Sequence, residues 1–265
     1  MDTNEFHVTG NVYVVGCSSW NGLRRLTRGE GSANVFLLDG GSETALIDTG
    51  ATAGCQDLLA NISSLGIDLK KIRKILLTHS HFDHCDATAE LLKTLDCTVF
   101  GHALARETLA GRQGIYQADY NYARSPPAPV HELVREGDTI RVGEVQLRVI
   151  EVPGHTPDGV AFIFDLPPSD TGGGVGAFTG DTAIGDQAGA KGVIGWIDAR
   201  WNTKLSDFKK SLERLRALEL SAFFPGHGFA HLGRDDVRTS MDNCLWRLDL
   251  LMSIPHLGTM TPVTI

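Results

Sequence analysis

The chain has 265 residues, 42% of them hydrophobic, which is enough for one large α/β domain or two small ones. Its 24 basic and 32 acidic side chains give a net charge of −8, which argues against a general binder of nucleic acid or membrane surfaces. The first residues do not resemble a signal peptide, no run approaches about 20 apolar residues, and five scattered cysteines lack CxxC spacing. We therefore expect a cytoplasmic protein with reduced thiols.

Strands and helices alternate in the first half of the sequence. Two apolar runs flank the Gly-containing segment 40–43, which predicts a β-hairpin. The next segment has apolar residues at helical spacing and stops at Gly66, a typical residue after a helix end. In chain order, the pattern predicts strands at 12–15, 35–38, 44–48 and 72–78, and helices at 53–65 and 87–95.

The second half repeats this order after an interruption. Residues 111–137 lack apolar periodicity, which indicates an irregular excursion or lid. No linker separates the two halves by composition, so we expect a single domain over 1–265, of α/β class with mixed sheets. The later pattern predicts a hairpin of 138–143 with 144–152, strands at 159–166, 175–180 and 222–226, and helices at 205–218 and 234–252.

A cluster of histidines follows the apolar run that ends at Leu77. The sequence THSHFDH over 78–84 holds His79, His81, Asp83 and His84. His79 and His81 are two apart in an extended chain, so their side chains can point to one side. Imidazoles and carboxylates are typical ligands of zinc, iron and manganese. The pattern HxHxDH therefore favours a metal site over the alternative, which is three unrelated surface histidines in a loop.

Three later loops supply candidate partners for this cluster. Each comes directly after a predicted strand and is flanked by glycine or proline: VPGHTPDG holds His155, FTGDTA holds Asp181, and FFPGHGF holds His227. Any one of these loops alone is weak evidence, but three of them at strand ends are together informative. Loops at the ends of strands are where α/β folds gather their functional groups.

These motifs together resemble the metallo-β-lactamase superfamily, from about residue 12 to residue 230. The resemblance includes LIDTG at 46–50, where Asp48 is similar to the family's buried carboxylate beneath the metal loop. It implies a four-layer αββα sandwich with the metals between the edges of two mixed β-sheets. It also implies that a first metal is held by His79, His81 and His155, a second by Asp83, His84 and His227, and that Asp181 bridges them.

Two divalent ions are therefore expected as cofactors, with zinc first, although the ligand types also suit iron or manganese. The resemblance implies a hydrolase in which a metal-bridging hydroxide cleaves a small ester, lactone, thioester or lactam. Asp83 is the catalytic candidate, because it can orient the hydroxide and carry a proton to the leaving group. A small-molecule substrate is expected, and neither nucleic acid nor a membrane is an expected partner.

Other residues near the predicted site have less specific signals. We expect Cys85 to pack as a small apolar residue instead of acting as a nucleophile, and Asp158 and Asp186 to be loop-stabilising or solvated carboxylates. Aromatic and arginine side chains in loops 16–31, 111–124 and 182–203 together suit a partly apolar, anionic substrate, but for any single one of them ordinary loop packing is the better explanation. They are Trp20, Arg24, Arg25, Arg112, Tyr116, Tyr120, Tyr122, Trp196, Arg200 and Trp201.

Three alternative functions remain open at this stage. One is a metallo-β-lactamase proper, which the lack of an export signal disfavours. Another is an iron-dependent persulfide oxygenase or related redox enzyme on the same fold, which ligand identity alone does not exclude. The last is a non-catalytic binding module, which the complete ligand set argues against. A glutathione thioester is disfavoured as a substrate, because residues 253–265 contain no lysine or arginine.

Overall fold

A computed structural model describes residues 6–17, 26–28, 32–111, 126–168, 172–185, 191–195, 197 and 203–254. These residues form two β-sheets, one of seven strands and one of six, with helices on their outer faces. The predictions that fall on Trp20, Arg24, Arg25, Arg112, Tyr116, Tyr120, Tyr122, Asp186, Trp196, Arg200 and Trp201 lie outside the described residues.

The first sheet comes from the first half of the chain, and its strands lie in sequence order. The first four strands pair antiparallel, and the remaining pairs are parallel. The predicted hairpin is confirmed, because Asp39 pairs with Thr44. The strands are β1 (His7–Thr9), β2 (Val12–Gly16), β3 (Val35–Asp39), β4 (Thr44–Ile47), β5 (Ile72–Leu76), β6 (Thr98–His102) and β7 (Glu132–Val134).

The second sheet comes from the second half of the chain. Its order is β13-β12-β11-β10-β9-β8, and only the β11–β12 pair is parallel. The second predicted hairpin is confirmed by the antiparallel pairing of β8 with β9. The strands are β8 (Thr139–Val142), β9 (Val145–Glu151), β10 (Val160–Leu166), β11 (Gly174–Gly180), β12 (Ala222–Pro225) and β13 (His231–Leu232).

Helices cover the outer face of each sheet. The helices of the first half of the chain, α1 to α4, lie against the first sheet. The two later helices, α5 and α6, contact each other and cover the second sheet. α1 follows a 3-10 turn at Thr52–Gly54, and Gly66 after it has a φ of 74°. The helices are α1 (Cys55–Ser64), α2 (Phe82–Cys85), α3 (Thr88–Leu91), α4 (Ala103–Leu109), α5 (Leu205–Ala217) and α6 (Arg234–Ser253).

Apolar side chains point alternately to the two faces of each sheet and so form three apolar layers. In β3, Leu37 packs with the helices of the first sheet, whereas Phe36 packs between the two sheets. In β12, Phe223 packs beneath α5 and α6, and Phe224 packs between the sheets. Because successive strand residues point to opposite faces, each sheet is buried on both sides. The expected αββα sandwich is thus confirmed.

Two predictions in the first half were wrong in detail. The helix predicted at 87–95 is only Thr88–Leu91, because the backbone N–H groups of Lys93 and Thr94 bond to carbonyls three residues back, as in a 3-10 turn. The excursion predicted at 111–137 contains β7 at its end, which pairs parallel with β6. β7 has three residues, and only Val134 is buried, so it carries no alternation signal.

Within the described residues, the helices are all too short or too polar to cross a lipid bilayer.

Candidate metal centre

The predicted site residues follow the ends of four strands. His79 and His81 come after β5, and His81 is the N-cap of the short helix α2, which carries Asp83 and His84. The other three residues follow strands of the second sheet. They are His155 after β9, Asp181 after β11 and His227 after β12. The structure brings all seven side chains together.

Three histidines form one group, here called the imidazole triad: His79, His81 and His155. The Nδ1 atom of His81 lies 3.1 Å from Nε2 of His79 and 2.9 Å from Nε2 of His155. All three side chains are buried. Burial, together with neighbouring imidazoles, holds the pKa of His79 and of His81 well below the usual histidine value. Neutral imidazoles with lone pairs facing one point are suited to bind a cation.

A second group, here called the mixed triad, consists of Asp83, His84 and His227. Nε2 of His227 lies 3.1 Å from Oδ2 of Asp83, and Nε2 of His84 lies 3.8 Å from the same oxygen. His84 is fully buried, whereas the side chains of Asp83 and His227 are 15% and 16% exposed. The cluster is therefore more open to solvent on the side of Asp83 and His227.

Asp181 lies between the two triads. Its Oδ1 is 3.4 Å from Nε2 of His84, and its Oδ2 is 3.4 Å from Nε2 of His227 and 3.5 Å from Nε2 of His155. One carboxylate therefore faces histidines of both triads. Candidate ligand atoms of His79, His84 and Asp181 also lie within 4.8 Å of one another, which makes a group that overlaps both triads.

The carboxylates dominate the electrostatics of the mixed triad. Burial alone would lower the pKa of His84, but Asp181 and Asp83 outweigh it and hold this pKa well above the usual value. Against the same effect of burial, Asp181 and Asp83 raise the pKa of His227 to about 9. Burial would raise the pKa of Asp181, but the imidazoles of His227 and His84 hold it well below its usual value. The field here therefore favours a positive charge.

Asp48 and Thr78 support the two triads from beneath, as the resemblance implied for Asp48. The Asp48 carboxylate is buried and accepts hydrogen bonds from the backbone N–H of Thr78 (2.7 Å), from the Thr78 hydroxyl (2.7 Å) and from Nδ1 of His84 (2.8 Å). The Thr78 oxygen lies 3.1 Å from Nδ1 of His79. Because the hydroxyl donates to Asp48, it accepts from His79. His79 then presents Nε2 as a lone pair, and His84 would do so once a cation replaced the proton that the carboxylates hold on it.

Two glycines allow close packing around Asp181. A Cβ at Gly226 would lie 2.2 Å from Oδ1 of Asp181 and 2.5 Å from Cε1 of His84. A Cβ at Gly195 would lie 2.2 Å from the Asp181 carbonyl oxygen and 2.6 Å from Nδ1 of His155. Gly226 lies in the PGHG motif that the sequence singled out for its histidine. Neither Gly195 nor Thr78 was predicted from the sequence to be part of this site.

The remaining predicted residues have supporting roles. Cys85 is buried, and its thiol lies 3.5 Å from the carbonyl oxygen of Ser80. Burial, with nearby carboxylates, raises the pKa of Cys85 well above its usual value, so it lacks thiolate character, as expected of a packing residue. Asp158 is fully buried and accepts a 2.6 Å hydrogen bond from the Ser80 hydroxyl. It stabilises a loop and is not solvated.

The donor set fits a bound cation. Nε2 of His84 and Oδ1 of Asp181 are buried and lie 3.4 Å apart, but neither atom has a well-aligned hydrogen-bond partner among the described residues. Leaving such atoms unsatisfied costs about 1–3 kcal/mol each, and a divalent ion would satisfy both. In the imidazole triad, ring nitrogens lie 2.9–3.1 Å apart, and each neutral ring carries a proton on only one of its nitrogens, so a cation would fit among the remaining lone pairs.

The αββα architecture and a histidine–aspartate cluster at the edges of both sheets define the class of protein. The family model of the metallo-β-lactamase superfamily matches residues 28–227, and the chain belongs to this superfamily. The chain is 28% identical over 197 residues, 74% of its length, to an atrochrysone carboxyl ACP thioesterase of Aspergillus fumigatus. It is also 34% identical over 119 residues, 44% of its length, to a hydroxyacylglutathione hydrolase of Rhodopseudomonas palustris.

The matched regions cover 50% and 40% of these two relatives, so the chain spans about half the length of the curated relatives it matches. Solved structures are similar in fold over most of the chain. A metallo-β-lactamase from Cronobacter sakazakii, mutated in its HARLDQ motif, aligns with a TM-score of 0.72 and 21% identity, covering 94% of this chain and 96% of that one. A β-lactamase from Chitinophaga pinensis aligns with a TM-score of 0.71 and 20% identity, covering 93% and 91%.

Proposed function

We propose that the protein is a metal-dependent hydrolase with two divalent ions. The imidazole triad would hold the first ion, the mixed triad would hold the second, and Asp181 would contact both. The observation that carries the proposal is the position of Asp181, whose two oxygens lie 3.4–3.5 Å from histidines of both triads. A carboxylate in this position could bridge two cations.

Zinc is the proposed metal, because imidazole nitrogens and carboxylate oxygens are its usual ligands together with thiolates, and the thiol of Cys85 is not part of the cluster. When bound, such ions lower the pKa of water towards about 7 and polarise the carbonyl group under attack. Nucleophile and electrophile are then both provided without a serine or cysteine nucleophile.

Asp83 is the proposed catalytic residue. It is a member of the mixed triad with an accessible carboxylate, and its Oδ2 lies 3.1 Å from Nε2 of His227. Burial raises the pKa of Asp83, but His84 and His227 outweigh burial and lower it below its usual value, so Asp83 is an ionised acceptor at neutral pH. We propose that Asp83 accepts the proton of the attacking water and passes it to the leaving group, while the water oxygen bonds to the acyl carbon and the bond from that carbon to the leaving group breaks.

We propose an ester or thioester of a small molecule as the substrate, with lactones as cyclic esters of the same class. The names of the two relatives support this choice, because a thioesterase and a hydroxyacylglutathione hydrolase both act on acyl groups. Since the chain spans only about half of those proteins, the leaving group is not carried over from them.

A hydrolysis screen with metal analysis of the same sample tests the proposal. The panel contains acyl thioesters, esters, lactones, β-lactams and phosphodiesters. We expect two ions per chain, and turnover of the first three classes that chelation abolishes. Asp83→Asn should lower kcat by about 100-fold or more. Asp165→Asn, at an exposed position of β10, is the control and should keep full activity. A metal-loaded protein that cleaves none of the acyl substrates would refute the proposal.

The two triads can be tested separately by metal content. Asp181→Asn should weaken binding of both ions, because this carboxylate faces histidines of both triads. His227→Ala should weaken mainly the second ion, because His227 belongs to the mixed triad. Equal losses in the two variants would contradict the assignment of Asp181 as the shared residue.

A further inference from the structure

Asn34 makes three hydrogen bonds to the turn that carries His227. Its backbone N–H donates to the carbonyl oxygen of Gly226 (2.6 Å). Its side-chain amide donates to the carbonyl oxygens of Pro225 and Gly228, both at 2.9 Å. A single buried residue therefore bonds to the carbonyls before and after His227.

These bonds cross from one sheet to the other. Asn34 directly precedes β3 of the first sheet, whereas the turn at 225–228 follows β12 of the second. The preceding residue, Ala33, donates its backbone N–H to the carbonyl oxygen of Asp83 at 3.1 Å. The segment 33–34 thus bonds to the backbone of two members of the mixed triad, Asp83 and His227.

We propose that Asn34 is a positioning residue for the second metal ion, which it controls without touching the ligand atoms. The inference rests on the proposed two-metal centre and goes beyond it by assigning a residue outside the two triads. The Asn34 amide fixes the turn on both sides of His227, so that Nε2 stays near Asp83 and Asp181. Outer-shell groups that orient a ligand change metal affinity by about 10–100-fold.

The imidazole triad is independent of Asn34. His79, His81 and His155 lie on loops after β5 and β9, and none of the three hydrogen bonds that Asn34 makes to the turn of His227 reaches those loops. Loss of the amide should therefore act on one ion and spare the other. This selectivity separates positioning from a general loss of stability, which would weaken both.

Asn61 provides a matched control. Its side-chain amide also donates to two backbone carbonyls, of Val15 (2.8 Å) and Leu26 (3.0 Å). It lies in α1, on the helical side of the first sheet, and α1 carries no member of either triad. Asn61→Ala removes the same number of amide hydrogen bonds as Asn34→Ala, but at a position that does not contact the turn of His227.

The test is a titration of the metal-free protein, prepared by chelation, with Zn²⁺ in the presence of a chromophoric chelator that competes for the ion. A second titration with Co²⁺ records the absorption of the bound ion. Wild type, Asn34→Ala, Asn34→Asp and Asn61→Ala are compared, and circular dichroism checks their folding. In Asn34→Ala, the second ion should bind at least about tenfold more weakly. The first ion should bind within about twofold of wild type.

Asn34→Asp keeps the size of the side chain and the backbone hydrogen bond but loses the amide donors. It should therefore weaken binding of the second ion at least as much as Asn34→Ala does. If Asn34→Ala does not fold, the result for Asn34→Asp decides the question. Asn61→Ala should bind both ions as wild type does. The inference is overturned if both Asn34 variants retain the second ion within about twofold, or if they weaken both ions equally. A wild-type chain that binds only one ion overturns the two-metal centre itself, and the inference with it.

Discussion

Replacing Asp48 with asparagine should change the protonation of His84 while leaving the backbone in place. Asp48 has a φ of 61°, in the left-handed region, which asparagine adopts more readily than most residues. The substitution is nearly isosteric, so it creates no cavity. Any effect therefore comes from the exchange of one carboxylate oxygen for an amide NH₂ group.

An asparagine amide at position 48 cannot accept all three of the hydrogen bonds that the Asp48 carboxylate accepts. Its Oδ1 accepts from the Thr78 backbone, and its Oδ2 accepts from both the Thr78 hydroxyl and Nδ1 of His84. If the amide oxygen accepts from the Thr78 backbone, the NH₂ group faces Nδ1 of His84. His84 must then move its proton to Nε2, which removes the lone pair of the mixed triad. The opposite orientation places two donors face to face at the Thr78 backbone.

Either arrangement loses at least one hydrogen bond to a charged group, which is worth about 1.5–3 kcal/mol. For a chain of this size, that corresponds to a fall in Tm of about 3–12 °C in the chelated protein. The affinity for the second ion should fall by about 10–100-fold, because a ligand loses its orienting partner. The imidazole triad should keep its ion, since the Thr78 hydroxyl can still accept from His79.

Differential scanning calorimetry of the chelated proteins and Zn²⁺ titration of the same samples measure these two effects. Asp39→Asn is the control, since the Asp39 carboxylate accepts a hydrogen bond from Gly41 in the exposed β3–β4 turn, away from the site. An Asp48→Asn protein that binds two ions with wild-type affinity would refute the proposed role of Asp48 in setting the His84 tautomer.

Three further predictions concern packing, acid stability and metal removal. Gly226→Ala places a Cβ 2.2 Å from the Asp181 carboxylate, so it should lower the free energy of unfolding by about 1–3 kcal/mol and weaken the binding of both ions. The control is Gly101→Ala, which should be tolerated because a Cβ there makes contacts of 3.4 Å or more. Urea unfolding and metal titration measure the two effects. Burial raises the pKa of Asp236, but the hydrogen bond from Lys191 helps to outweigh burial, so the net pKa in the folded state is lowered. The ion pair therefore stabilises the fold fully above about pH 4, the pKa of an aspartate in the unfolded chain, and this contribution is lost as the pH falls further. The Tm difference between wild type and Asp236→Asn, measured on chelated protein, should therefore shrink on acidification, and a constant difference would contradict this. Chelation of wild type should lower Tm by about 8–16 °C for each ion removed, if free metal is about a thousandfold above its Kd. An unchanged Tm after verified metal removal would contradict metal binding to the folded state.

The candidate ligand residues could be predicted from the sequence because each follows the end of an apolar strand with a polar side chain. His155, Asp181 and His227 stand out for this reason, and their convergence follows from the two-sheet arrangement that the resemblance implied. The apolar cores of the long strands were predicted for the same reason, since alternate residues of β9 and β12 face different layers.

Features that depend on contacts between distant segments carried no such signal. Asn34 is one polar residue before an apolar strand, and its partners lie about 190 residues later in the chain. β6 and α4 were not predicted, because in β6 only Val99 and Gly101 are buried and α4 has seven residues. β7 is held by pairing with β6 instead of by its own side chains.

Each triad takes its members from both sheets, which has a consequence for how the centre forms. His79 and His81 of the imidazole triad come from the first sheet and His155 from the second, and the mixed triad is divided in the same way. Neither half of the chain therefore holds a complete site. The apolar layer between the sheets, with Phe36 facing Phe178 and Phe224, must pack before three donors meet. Metal binding would then stabilise the packed sandwich selectively, because the unpacked chain lacks the site.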